Sequence, residues 1–161
     1  MLKANLIIFK GSKLMSEHKI HVFISHSWTY SDHYDKLAEW IFENSWKSGQ
    51  ATIKFYDYSV PKNDPIHNAP TKRELRDAIY AKISRSHVIV IPTGMYTHYS
   101  EWIGKEIDGS IAYGKPILAV DPWGQQRSSS VVIRAADKYV GWNSNSVVAG
   151  IWSLYNRLTK K

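Results

Sequence analysis

The chain has 161 residues, 43% of them apolar and 22% charged, which suits one globular domain with a real core and excludes a disordered segment. It has no cysteine, which excludes disulfides, thiolate catalysis and cysteine metal sites. No apolar run approaches a membrane span, so a cytoplasmic protein without a membrane partner is expected. The formal charge of +7 favours anionic partners. The basic residues are scattered apart from Lys160-Lys161, so nucleic acid is not an expected partner.

Residues 1–18 read as an N-terminal extension and 19–161 as the domain. Leu6-Ile7-Ile8-Phe9 is too short for a signal-peptide core. Met15, directly before a polar stretch, is a second candidate start; an extra strand or a docking arm is the alternative. From Ile20 the chain alternates strand and helix. Ile20–Ile24 is a first strand, ending in Ser25-His26-Ser27. Tyr34, Leu37, Ala38, Ile41 and Phe42 repeat with helical spacing, and Gly49 is the expected stop. Thr52–Tyr56 alternates with period two and reads as a second strand, a candidate edge. Asp57 to Pro70 is polar, rich in proline and aperiodic, long enough to suggest a functional loop.

Thr71-Lys72-Arg73-Glu74 is a capping box, and it opens a helix with Leu75, Ala78, Ile79 and Ile83 inward. His87–Ile91 is a β-branched run, as expected of a central parallel strand covered on both faces. The stretch Tyr99–Ile107 opens the next helix, with Ile103, Ile107 and Ile111 as its core row and Gly114 as its stop. Pro116–Val120 is a fourth strand, Asp121 to Ser130 a polar loop, Tyr139–Trp142 a fifth strand. Val147, Ile151, Leu154 and Leu158 define a last helix. Such alternation implies a parallel sheet with right-handed crossovers. Five strands suggest an α/β flavodoxin-like three-layer sandwich of order 2-1-3-4-5.

Within the third helix, residues three and four apart share a strip. Trp102 and Glu106 lie on one such strip, with Gly109 and Ser110 below. Glu101 has Lys105 at i+4, and Asp108 has the same lysine at i−3. Glu106 has no cation at these positions. A solvated glutamate beside a packing tryptophan accounts for the pattern; a carboxylate with room for a ligand accounts for it equally. In an open parallel sheet of this order, ligands bind outside the carboxyl ends of the strands, between strands one and three. Ser25-His26-Ser27-Trp28 and the helix of Glu106 both meet that place.

Val22-Phe23-Ile24-Ser25-His26-Ser27 resembles the first box of TIR domains. Ser100-Glu101-Trp102-Ile103-Gly104-Lys105-Glu106 resembles their Ser-x-Trp-x-x-x-Glu segment, which carries the catalytic glutamate in enzymatic members. Lys115-Pro116-Ile117 resembles the strand entry that follows. Over roughly Lys19 to Leu158 the chain is similar to the stand-alone bacterial TIR-like proteins of the Thoeris ThsB family. That resemblance implies cleavage of NAD+ with release of nicotinamide and formation of a cyclic ADP-ribose isomer, which signals to a separate effector protein. It also implies a phage component as trigger and self-association. NAD+ enters as substrate, so no cofactor is expected. Asp57–Pro70 departs from the BB loop of ordinary TIR domains, and its contacts are not carried over.

The chemistry demands little. The nicotinamide–ribose bond has a cationic leaving group, so no general acid is required, and the transition state is oxocarbenium-like. A carboxylate near the ribose stabilises the positive charge, the role the resemblance gives Glu106. Trp102 is the candidate to pack on the ribose or an aromatic ring. Ser100 is a candidate helix cap and substrate contact, and Ser25, His26 and Ser27 are candidate crevice residues; turn and cap chemistry alone also explains them. No metal spacing, Gly-x-Gly-x-x-Gly or Walker sequence occurs, so no metal is expected. Trp40, Trp46, Trp142 and Trp152 fit packing, whereas Trp28 and Trp123 lie in loops. Two other readings stay open: a nucleoside deoxyribosyltransferase-like enzyme, and a non-enzymatic TIR-like assembly or adaptor module.

Overall fold

Alternation along the first strand sets the two faces of the molecule. In β1 (Ser16–Ile24), Ile20, Val22 and Ile24 enter one core and Phe23 enters the other. The computed structural model describes residues 16–25, 31–60, 71–121 and 129–160. The remaining elements are α1 (Ser31–Phe42), β2 (Trp46–Ser48), β3 (Ala51–Asp57), α2 (Lys72–Ser84), β4 (Val88–Pro92), α3 (Tyr96–Ala112), β5 (Ile117–Val120), α4 (Ser130–Ala135), β6 (Lys138–Val140) and α5 (Ser144–Thr159). A single 3-10 turn, Thr93–Met95, joins β4 to α3.

The sheet has six strands in the order β2-β3-β1-β4-β5-β6. Five are parallel and keep the expected 2-1-3-4-5 arrangement; β2 is added antiparallel at the edge. The architecture is therefore α/β and flavodoxin-like, with six strands where five were expected. One core packs Leu37 and Ile41 of α1 and Val147, Ile151 and Leu154 of α5 against the sheet. The other packs Ile79 and Ile83 of α2, Ile103 and Ile107 of α3 and Val132 of α4 on the opposite face. β4 and β5, covered on both sides, are buried at every residue.

Several local expectations are corrected. β1 begins at Ser16 rather than Ile20, because pairing with β3 runs from Ser16 to Val22. α1 ends at Phe42, and Gly49 instead sits in the β2–β3 hairpin turn with φ 58°. β3 is not an edge, since β2 covers it. Ile111 is 66% exposed and leaves the expected core row; Leu158 likewise faces solvent at the frayed end of α5. Gly114 does stop α3, with φ 62° and its N–H on Ile111 O at 3.1 Å. Ser129 caps α4, a short helix between the expected loop and the last strand, where no element was expected. Thr71 caps α2, accepting from Glu74 N at 3.2 Å.

The start of α3 matters most for function. It begins at Tyr96, three residues before the expected stretch. Ser100 therefore lies inside the helix and is not its cap, and Glu106 lies in the third turn rather than the first turns.

Of the Asp57–Pro70 segment, residues 57–60 are described, and they are tied down. Tyr58 N donates to Val22 O at 2.9 Å, and Ser59 Oγ accepts from Ile24 N at 2.8 Å. Val60 is buried in the core beneath α2 and α3. The first four residues of the expected functional loop are thus anchored to the fold. Its remainder, and the expectations placed on residues 1–15, Trp28 and Trp123, lie outside the described residues.

Candidate active site

Ser25 follows β1 at the carboxyl edge of the sheet, and its N–H donates to Val90 O at 2.8 Å. That bond extends the β1–β4 ladder by one residue and turns the Ser25 side chain to the face covered by α3. There its hydroxyl is hydrogen-bonded to Glu106 Oε2. One helical turn before Glu106, the Trp102 indole N–H donates to Oε1 at 2.7 Å. Both carboxyl oxygens are thus held, each by a neutral group. Ser110, one turn further on, donates its hydroxyl to Glu106 O at 2.6 Å, closing the polar column along α3.

Glu106 is 1% exposed, so the reading as a solvated glutamate is overturned. No cation pairs with it among the described residues. Burial pushes its pKa up to about 8, against the opposing pull of the Ser25 and Trp102 hydrogen bonds. Desolvation wins because a carboxylate loses far more hydration than two neutral donors restore. In the free protein the group is therefore mostly a neutral acid at pH 7. Glu101, on the same helix, behaves oppositely. It is exposed, lies 3.0 Å from Lys72 and 3.2 Å from Lys105, and those two partners lower its pKa.

The space beneath Glu106 is not a ligand cavity. A β-carbon on Gly109 would stand 2.9 Å from the Tyr80 ring, so Gly109 lets α2 and α3 pack closely.

The structure brings Ser25, Trp102 and Glu106 together. Ser100 is placed only by its backbone in α3, and His26 and Ser27 lie outside the described residues. Thr93, directly after β4, is a residue the sequence reading passed over. It is fully buried, and its hydroxyl has no partner among the described residues. Its only signal in the sequence was its place after a central strand. Asp57 at the end of β3 accepts from Ser59 N at 2.9 Å and from the Tyr34 hydroxyl, so it acts as a scaffold for the segment beside β1. Among the described residues, no three His, Asp or Glu side chains gather as a metal site. No helix among them is long and apolar enough to cross a membrane.

The family described as Thoeris protein ThsB, TIR-like domain, matches residues 23–127, well over half of the chain. None of the curated proteins matches. Among solved structures, the chain is similar to a 3-dehydroquinate dehydratase-like protein from Bifidobacterium longum at 15% identity. The alignment covers 89% of this chain and 98% of that one, with a TM-score of 0.45, which carries no argument about either fold or activity.

Proposed function

This chain belongs to the family of Thoeris ThsB TIR-like domains, and we propose that it is an NAD+-cleaving enzyme of anti-phage defence whose catalytic carboxylate is Glu106. One observation carries the reading: a buried carboxyl group at the carboxyl edge of the sheet, held at both oxygens and lacking a cation among the described residues. A buried acid without a cation destabilises the protein once it ionises. A cationic substrate is the partner that would reverse this. The nicotinamide ring of NAD+ carries that charge beside the ribose carbon to be cleaved.

In this mechanism the positive charge of the pyridinium lowers the pKa of Glu106, whose proton leaves to solvent, and the resulting carboxylate pairs with the ring. The bond between ribose C1′ and the ring nitrogen breaks. Its electrons leave with neutral nicotinamide, and positive charge moves onto C1′ and the ring oxygen. The Glu106 carboxylate stabilises that charge in place. Water then adds to C1′ and yields ADP-ribose, or a nucleophile within the same ADP-ribose adds and closes a cyclic isomer. Either addition releases one proton.

Ser25 and Trp102 act on Glu106 rather than on the substrate directly. Their hydrogen bonds fix the direction of the carboxylate before substrate arrives, so little reorganisation is left for the transition state. Part of the Trp102 ring packs against the core beneath α2 and α3. The cyclic product would act on a separate effector, with a phage component as trigger and self-association as a means of control.

Purified protein incubated with NAD+, before and after exposure to phage-infected cell extract, tests this. Nicotinamide release after exposure supports it. Absence of release in both states, with oligomers forming on exposure, would instead establish the adaptor reading. Base exchange on deoxynucleosides would redirect the site to glycosyl transfer.

A further inference from the structure

We propose that Thr93 is a substrate-binding residue of this site, its buried hydroxyl hydrogen-bonding a ribose hydroxyl of a nucleotide lying over Glu106. The inference rests on the NAD+-cleaving reading and adds a residue that neither the resemblance nor the family match assigns.

Thr93 is fully buried, and among the described residues Oγ1 has no hydrogen-bond partner. Buried hydroxyls are nearly always paired, because an unpaired one is destabilising. Valine has the same shape and no such penalty. The hydroxyl is therefore a loss for the free fold, and a ligand that completes it gives it a purpose.

Its position selects the ligand group. Ile89 and Ile91 of β4 point to the face covered by α2 and α3, and Thr93 follows that strand directly, at the start of the 3-10 turn. Ser25 points to the same face and reaches Glu106. The register pairs Ile24 with Val90, which places Ser25 beside Ile91, two residues before Thr93. With strands ~4.8 Å apart and ~3.3 Å per residue, the two side chains start roughly 8 Å apart. A sugar ring bound there would lie within reach of both. The Thr93 carbonyl accepts from Ser129 N at 3.2 Å, which anchors the backbone to the cap of α4.

A neutral hydroxyl matches a neutral partner. The ribose hydroxyls next to the cleaved bond are neutral, and they lie within reach of a carboxylate that faces C1′. Thr93 would bind the ring while Glu106 stabilises the charge that develops on it.

The test compares Thr93→Val and Thr93→Ser with the wild-type full-length chain, reading melting temperature without nucleotide and nicotinamide release from NAD+ on triggered protein. Thr93→Val should melt at or above the wild-type temperature. Its kcat/KM should fall about tenfold, the scale of one neutral hydrogen bond. Thr93→Ser should recover most of that loss. Wild-type kcat/KM in Thr93→Val overturns the inference, as does a loss accompanied by a lower melting temperature. If the wild type itself releases no nicotinamide, the enzymatic reading fails and the ribose assignment falls with it. An active wild type with an equally active Thr93→Val removes the assignment alone.

Discussion

Replacing Glu106 with glutamine should change how stability depends on pH. The folded protein holds this proton to about pH 8, against an ordinary value of 4.5. A carboxyl whose folded pKa is raised contributes stability fully below its unfolded pKa. That contribution is lost as pH rises through the folded pKa. The window thus runs from 4.5 to about 8, and its full span corresponds to roughly 5 kcal/mol. Glutamine imitates the protonated acid: its carbonyl accepts from the Trp102 indole N–H and its amide donates to the Ser25 hydroxyl. It does not titrate. Urea unfolding of wild type and Glu106→Gln, taken at unit intervals from about pH 5 to about pH 9, reads the difference directly, because every other group cancels. The variant should match the wild type near pH 5 and gain on it by about 1.4 kcal/mol per pH unit up to about pH 8. Parallel stability curves across that window would refute the burial argument.

The same proton should appear in the kinetics. For triggered protein, kcat/KM for NAD+ should rise with pH to a plateau above about 8, the pKa of the free site. The midpoint for kcat should be lower, since the bound pyridinium favours the carboxylate; a flat profile between about pH 6 and about pH 9 would contradict this. Gly109→Ala should destabilise the protein by ~1–3 kcal/mol through overpacking of Tyr80, and denaturant titration would show it. An unaffected midpoint would mean that α2 and α3 do not meet as closely as the structure has them.

The parallel core of the fold was legible because burial leaves a mark on composition. His87–Ile91 had to be covered on both faces, and β4 is. Helical spacing located Leu37, Ile41, Ile79 and Ile83 for the same reason. The edge hairpin was not legible. Trp46–Ser48 is too short for periodicity, and its partner strand only became interior once β2 paired with it. Gly49 marked a real turn, but the pattern could not say whether it followed a helix or joined two strands. The α3 start was missed because the residue before Tyr96 is Met95, which is no cap, while Thr97 and Ser100 are cap-type residues that lie inside the helix.

The site was legible in part. The i, i+4 strip joined Trp102 to Glu106 correctly, since that contact is local. The Ser25 contact spans 81 residues and followed only from the sheet order and the strand-end rule. Burial of Glu106 had no local signal: its own helix shows no cation beside it, and the enclosure comes from β1 and the surrounding core. Gly109 read as ligand room from the same strip, yet Tyr80, on a different helix, fills it. Thr93 was invisible for a similar reason, because an unpaired hydroxyl is a property of what fails to surround it.

The central claim is that the negative charge of Glu106 drives cleavage. It is tested most directly by nicotinamide release at saturating NAD+ from triggered wild type, Glu106→Gln and Glu101→Gln, each checked to be folded. Turnover should fall by ~10²-fold or more in Glu106→Gln, the scale of losing one preorganised electrostatic group. It should stay near wild type in Glu101→Gln, which removes only exposed pairs with Lys72 and Lys105. Near-wild-type turnover in Glu106→Gln would contradict the account.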